Sequence, residues 1–193
     1  MHSCSVLLIN TNISTDAYSQ LTIHSTDISA ICFSGKFGFL SVFNMYNNCT
    51  HNMVLNDLST YLSTSLHIAQ PTPGNHMLWL GDFNRHHSLW ESANNCHLNS
   101  PKDFVQPLLD MLMAYNMELA LPPELPTFQS AGDRWTWPDN VWHTHSDVDP
   151  IISCDIVPSL CPSLADHLPI VTEVELPVPC TSSPPSKDFC QVD

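Results

Sequence analysis

Short apolar stretches separated by turn-like polar clusters make up the first fifty residues, and their pattern indicates strands. The stretches SVLLIN, QLTIH, DISAICF and FGFLSVFNMY are rich in β-branched and aromatic residues, and SGKFG at 34–38 is typical of a hairpin turn. Leucines at 55, 58, 62 and 66 then mark one face of a predicted helix over about residues 52–67. The apolar run HMLWLGDFN contains Gly81 and predicts a buried central strand that delivers Asp82 and Asn84 to its C-terminal edge.

The rest of the chain combines a second helix with loops and two closing strands. Apolar pairs between Phe104 and Met117 predict that helix, which begins at Ser100-Pro101 or only at Pro107. Residues 119–150 indicate loops with brief strands, and IISCDIV and PIVTEVEL are typical of strands. This order predicts an α/β protein with a mixed sheet or two packed sheets, followed by a disordered Pro/Ser-rich tail at 177–193.

The charge balance narrows the function classes. Five Lys and Arg stand against 19 Asp and Glu, which gives a net charge of −14. This balance argues against a nucleic-acid-binding module with a basic surface, because phosphate binding of that kind needs clustered Lys and Arg. The eight Cys are spread singly, as in proteins of a reducing compartment, and no signal peptide or membrane-length apolar run is recognisable. We expect an intracellular protein that is neither secreted nor in the membrane.

The segment Leu80-Gly81-Asp82-Phe83-Asn84 carries the strongest chemical signal. The period of two along a strand sends Asp82 and Asn84 to the same side, while Phe83 packs inward. Such a pair suits phosphoryl chemistry, because the carboxyl group moves a proton and the amide stabilises a developing oxyanion. The structural alternative is an Asx-turn that ends a strand.

Two further segments carry acidic residues and a histidine. Asp166-His167 directly precedes the last strand and offers a carboxylate for a divalent cation beside an imidazole; the alternative is a surface turn. Asp147 and Asp149 enter the IISCDIV strand, and one of them could orient His167, or both could be strand-edge residues. Spacing alone does not decide between these two.

Histidines and tryptophans elsewhere invite two other interpretations. The eleven His lack the spacing of a zinc site. Trp135, Trp137 and Trp142 could stack on bases, or they could pack an irregular loop, which we expect of at least two of them.

These motifs, in this order, resemble the endonuclease/exonuclease/phosphatase superfamily, and above all the apurinic-like endonuclease domain of non-LTR (LINE-type) retrotransposons. The resemblance rests on NMYNN at 44–48, WLGDFNRHHSLW at 79–90, PTFQS…WTWPDN…SDVDPIISCD at 126–155 and LADHLPIV at 164–171. It implies Mg²⁺- or Mn²⁺-dependent hydrolysis of a phosphodiester in DNA. It also implies that the nick leaves a 3′-hydroxyl, which primes reverse transcription by a reverse transcriptase of the parent element. This reaction would take place in the nucleus.

The resemblance also implies a role for individual residues. Tyr46 matches a tyrosine that contacts the scissile phosphate, and Asp82 with Asn84 matches the pair that handles the attacking water or the leaving oxygen. His86, His87 and Trp90 match an extension of GDFN with no assigned role.

The same resemblance assigns the acidic residues near the last strands. Asp149 matches the Asp that pairs with the catalytic His, with Asp147 as the fallback. Asp166 matches the metal-associated Asp, and His167 the catalytic His.

Departures from the family pattern modify these expectations. An opening strand that ends in Asn and a later strand followed by a metal-binding Glu have no counterpart here, and the family's Ser-Asp-His is Ala165-Asp166-His167. The resemblance therefore implies a four-layer α/β sandwich (DNase-I-like) over residues 1–176 that is missing its first strands, binds DNA weakly and is impaired in activity. The alternatives are a non-catalytic retrotransposon remnant and a phosphomonoesterase of the same superfamily.

Overall fold

A central mixed β-sheet organises the chain. The computed structural model describes residues 4–35, 38–69, 74–132, 134–147 and 149–175, so the predicted tail at 177–193 lies outside the described residues. The strands are β1 (Tyr18–Leu21), β2 (Ile28–Gly35), β3 (Gly38–Tyr46), β4 (Asn75–Asp82), β5 (Met117–Leu119), β6 (Phe128–Gln129), β7 (Trp135–Thr136), β8 (Asp139–Thr144), β9 (Ile151–Ile156) and β10 (Ile170–Val174). The α-helices are α1 (Met53–Thr64), α2 (Leu66–Ala69) and α3 (Lys102–Ala114).

Six strands form this sheet in the order β1-β2-β3-β4-β8-β5. The β3–β4 pair is parallel and is connected through α1 and α2, whereas the other neighbours are antiparallel. The predicted 34–38 hairpin joins β2 to β3, with Gly35 opposite Gly38, and the two residues between them lie outside the described part. Separate two-stranded sheets are formed by β9 with β10 and by β6 with β7.

Each face of the central sheet has its own hydrophobic core. On one face Phe43 and Trp79, both fully buried, pack with residues of α1 and α3. On the other face Ile31 and Leu78 pack with residues of β9 and β10, Ile156 among them. The described residues thus form a helical layer, a six-stranded sheet and a two-stranded sheet, and the predicted α/β class is confirmed.

The predicted helices form with adjusted ends. The 52–67 pattern divides into α1 and α2, and leucines 55, 58 and 62 are buried as expected. The second helix begins at Lys102, behind Pro101, so Pro107 lies inside it. Within the described residues, no helix is both long and apolar enough to cross a bilayer.

The strand predicted for SVLLIN does not form, since residues 5–10 have neither helix nor strand geometry. Side-chain hydrogen bonds attach the segment to β3: the Asn44 amide donates to the Val6 carbonyl (3.0 Å), and Ser5 Oγ donates to the Asn44 carbonyl (2.8 Å). Leu7 and Ile9 nevertheless pack on the second core. Burial thus alternates along a continuous apolar run, with Val6 and Leu8 exposed, and within the described residues this segment forms no backbone ladder with a strand.

Candidate active site

Two strands end and a third begins at one edge of the central sheet, and all three place polar side chains there. Because β3 and β4 are parallel, their C-terminal ends coincide, and Tyr46 lies opposite Asp82. The antiparallel β8 begins at the same edge, where Asp139 lies opposite Asp82. Two carboxyl groups and a phenol therefore meet at this edge without contribution from any loop.

Asp82 and Asn84 form one hydrogen-bonded unit, as their spacing predicts. The Asn84 backbone N–H donates to Asp82 Oδ1 (2.9 Å), and Asn84 Nδ2 donates to Asp82 Oδ2 (2.8 Å). Asn84 has a φ of 48°, which Asn tolerates better than most residues, and Phe83 between them is fully buried. The turn that was the structural alternative is therefore present, and it fixes the two side chains relative to one another.

The orienting partner of His167 is Asp139, so the expectation that Asp149 or Asp147 fills this role is wrong. Asp139 Oδ2 lies 2.8 Å from His167 Nδ1. Asp149 lies instead 3.5 Å from His143 Nδ1, and its carboxylate accepts from the Ile151 backbone N–H. The reason is the direction of β8, which starts at the site and carries the following residues, including the exposed Asp147, to the far end of the sheet.

Thr127 and Phe128, at the start of β6, hold the dyad formed by Asp139 and His167 in place. Thr127, fully buried, accepts the Asp139 backbone N–H at Oγ1 (3.2 Å) and accepts the Leu168 N–H at its carbonyl (2.7 Å). The Phe128 ring lies 4.8 Å from the His167 ring between centroids. Thr127 therefore connects the two catalytic candidates, and its sequence context of Pro126 and Phe128 gave no indication of this.

Asp166 is exposed and next to His167, and Gln129 N–H donates to its backbone carbonyl (2.9 Å). Carboxylate oxygens are the ligand class that Mg²⁺ prefers, so Asp166, Asp82 and Asp139 fit such an ion in kind. No group of three His, Cys, Asp or Glu side chains in the described residues converges closely enough to hold a metal. The described residues fit a divalent cation by ligand chemistry but do not complete its coordination.

Burial and the neighbouring carboxylate change the proton affinities at this edge. Burial, and after it the negative charge of Asp139, raise the pKa of Asp82 to about 6, although the bonds from Asn84 oppose the rise. The hydrogen bond to Asp139 raises the pKa of His167 above its ordinary value. Burial, together with the charge of Asp82, raises the pKa of Tyr46. Asp82 therefore exchanges its proton near neutrality, while Tyr46 stays a neutral donor.

The extension after GDFN has a packing role. Trp90 is fully buried, meets Trp142 edge-on at 5.5 Å between centroids, and donates from Nε1 to the Arg85 carbonyl (3.0 Å). His87 lies against the Trp90 ring, and His86 Nδ1 pairs with the buried Glu91.

The tryptophan cluster serves mainly for packing. Trp137 and Trp142 are buried, but Trp142 lies in the central strand β8 and only Trp137 lies in a loop, so the expectation of two loop-packing members holds for their burial and not for their location. Only Trp135, 38% exposed, remains available to stack on a ligand.

Comparisons with known proteins show the family and the fold of the chain. A family model described as "Endonuclease-reverse transcriptase" matches residues 40–171. The fold is similar to the endonuclease domain of TRAS1, a telomere-specific non-LTR retrotransposon, with a TM-score of 0.67 at 16% identity over 85% of this chain and 71% of that one. It is also similar to the AP endonuclease LMAP from Leishmania major, with a TM-score of 0.58 at 12% identity over 79% of this chain and 55% of that enzyme. No curated protein sequence is significantly similar to the chain.

Proposed function

Because the chain belongs to the endonuclease-reverse transcriptase family, we propose that its site hydrolyses a phosphodiester bond and nicks DNA. The observation that carries this proposal is the convergence of Asp82, Asp139 and His167 at one sheet edge, with Asp82 opposite Asp139 and Asp139 bonded to His167. Such an arrangement provides one carboxyl group that can move a proton and one imidazole that is held in a fixed orientation. Both are useful for the hydrolysis of a phosphate ester.

The proton chemistry follows from the two carboxyl groups. Asp82, with a pKa of about 6, takes a proton from the attacking water or returns one to the leaving oxygen. Asp139 binds Nδ1 of His167, so Nε2 is the ring nitrogen that engages the phosphate or the water. Proton transfer and phosphate binding are thereby assigned to different side chains.

Two neutral donors complete the site. The Asn84 amide already bonds Asp82 through Nδ2, and its second N–H is available for a phosphate oxygen. The raised pKa keeps Tyr46 protonated, so its hydroxyl donates to the phosphate without adding charge. A Mg²⁺ or Mn²⁺ ion held at Asp166 would supply the positive charge that neutralises the phosphate.

The substrate and partners are proposed as DNA and a reverse transcriptase of the same element, which would place the activity in the nucleus. Support comes from the family description, and the charge of −14 predicts weak binding. Among the basic residues that the structure describes, Arg85 is buried, which leaves Lys102 and Arg134 exposed. We therefore expect low affinity that falls further as salt is added.

A plasmid nicking assay tests the proposal. Purified protein with supercoiled plasmid and Mg²⁺ or Mn²⁺ should yield open circles, and His167→Ala should abolish the product. Absence of nicking at high protein concentration would overturn the proposal in favour of a non-catalytic remnant. Faster hydrolysis of a phosphomonoester than of plasmid, lost in the same variant, would overturn the DNA substrate but keep the site.

A further inference from the structure

Arg85 follows Asn84 directly and is 1% exposed, which is unusual for a guanidinium group. No carboxylate of the described residues lies within ion-pairing distance of it; the ion pairs that these residues form all involve His. A buried charge without an opposite charge is costly unless every N–H is hydrogen-bonded. The destinations of its hydrogen bonds therefore indicate what this residue does.

Five hydrogen bonds leave the guanidinium and reach three separate segments of the chain. Nε donates to the Phe104 carbonyl (2.9 Å), Nη1 to the carbonyls of Asn48 (3.1 Å) and Asn84 (2.7 Å), and Nη2 to the His51 carbonyl (2.8 Å) and to Asn52 Oδ1. These acceptors belong to the loop after β3, to the exit of β4 and to the first turn of α3. One side chain thus ties together the segments that surround Tyr46 and Asn84.

Pro107 extends this network into α3. Proline has no N–H, so the carbonyl of Asp103, four residues earlier, has no helical donor. Asn52 Nδ2 donates to that carbonyl (3.3 Å), while Asn52 Oδ1 accepts from Arg85. The proline inside the helix therefore creates an acceptor for the loop, and Asn52 joins the helix to the guanidinium.

The same loop is attached to the site at its other end. Asn47, fully buried, donates from its backbone N–H to the Asp82 carbonyl (2.8 Å) and from Nδ2 to the Phe83 carbonyl (2.9 Å). Residues 47–52 are thus held at one end by β4 and at the other by Arg85. The residue before this loop is Tyr46, so the loop's position sets where the phenol lies.

We propose that Arg85 is a positioning residue that fixes Asn84 and Tyr46 for the reaction, an inference that rests on the proposed function. Its planar guanidinium serves acceptors in several directions at once, whereas a lysine ammonium offers fewer donors from a single point. Arg85 acts through the carbonyls of Asn84 and of the 48–52 loop and does not touch substrate.

Nicking kinetics of Arg85→Lys test the proposal, with Arg134→Lys as the matched control at an exposed arginine. We expect kcat to fall roughly tenfold or more while KM stays within about twofold, because the positioning of catalytic groups is lost and charge is kept. The control should retain both parameters. A kcat within about twofold of the parent protein would overturn the proposal.

Hydrogen exchange gives a second readout that does not need activity. In Arg85→Lys the amides of residues 47–52 and of the first turn of α3 should exchange faster, while those of β2 and β8 stay protected. Unchanged exchange at 47–52 would contradict the proposal even if the parent protein does not nick, and a lack of nicking alone contradicts only the proposed function. Should Arg85→Lys fail to fold, Asn52→Ala provides the test. Its amides in residues 47–52 and in the first turn of α3 should exchange faster than in the parent protein, and unchanged exchange would contradict the proposal.

Discussion

Replacement of Asp82 by asparagine should stabilise the protein at neutral and alkaline pH. The pKa of Asp82 rises from 3.8 to about 6 on folding, so the folded state binds this proton more tightly than the unfolded state. The contribution to stability is complete below about pH 4 and is lost as the pH rises towards and through 6, leaving a partly buried, unfavourable charge. Asparagine has the same shape and removes that charge.

The expected gain follows from two opposing quantities. A shift of about two pKa units corresponds to about 3 kcal/mol at 1.36 kcal/mol per unit. The amide group that replaces the Asp82 carboxylate would lose one of the two bonds from Asn84, which costs about 1 kcal/mol. The net increase in the free energy of unfolding is therefore about 2 kcal/mol at about pH 8 and disappears at about pH 4, where the change costs stability.

Urea unfolding of both proteins in EDTA at these two pH values measures the difference. Asp110→Asn is the matched control, because exposed Asp110 also accepts from a side-chain amide, that of Gln106 (2.8 Å), but has no buried charge to remove. The Asp82→Asn protein should also lose nicking activity. A variant that is no more stable than its parent at the higher pH, or a gain that does not change with pH, would refute the reasoning.

Three further predictions concern the groups around the dyad. Thr127→Val removes the acceptor of the Asp139 N–H and should lower the free energy of unfolding by about 1 kcal/mol in urea, whereas Thr127→Ser should not. An NMR titration should give His167 a pKa above 6.5, and this pKa should fall in Asp139→Asn. The same pKa in both proteins would contradict the hydrogen bond between the two residues. Trp90→Phe leaves the Arg85 carbonyl without its donor and opens a cavity, so it should lower the free energy of unfolding in urea by about 2–3 kcal/mol. Trp135→Phe, at a partly exposed position, should lower it by less than about 0.5 kcal/mol.

Periodicity predicted the elements that bury a continuous apolar face. The HMLWLGD run became the central strand β4, and the leucine pattern became α1, because in both cases local pattern and tertiary burial agree. The positions of Asp82 and Asn84 followed from that strand without further information. Pattern failed at residues 5–10, where burial alternates but no strand of the described residues pairs with the backbone.

The partner of His167 could not be derived from the sequence, because the pairing is set by sheet topology. Asp139 begins a six-residue strand inside a segment whose Pro and Trp content is typical of loops, and it lies 28 residues from His167. The strand DNVWHT, apolar at its centre and preceded by Pro138, was the available signal. Arg85 left no signal, since its acceptors are mainly backbone carbonyls, which any residue provides.

The most direct test of the active-site assignment compares plasmid nicking by Asp139→Asn and Asp149→Asn. Both changes remove one carboxylate near a histidine, but only Asp139 contacts His167; Asp149 faces His143. We expect Asp139→Asn to lower the nicking rate by roughly a thousandfold or more, as for other histidines that lose their orienting carboxylate. Asp149→Asn should stay within about threefold of the parent rate. Loss of nicking in Asp149→Asn with retention in Asp139→Asn would contradict the assignment.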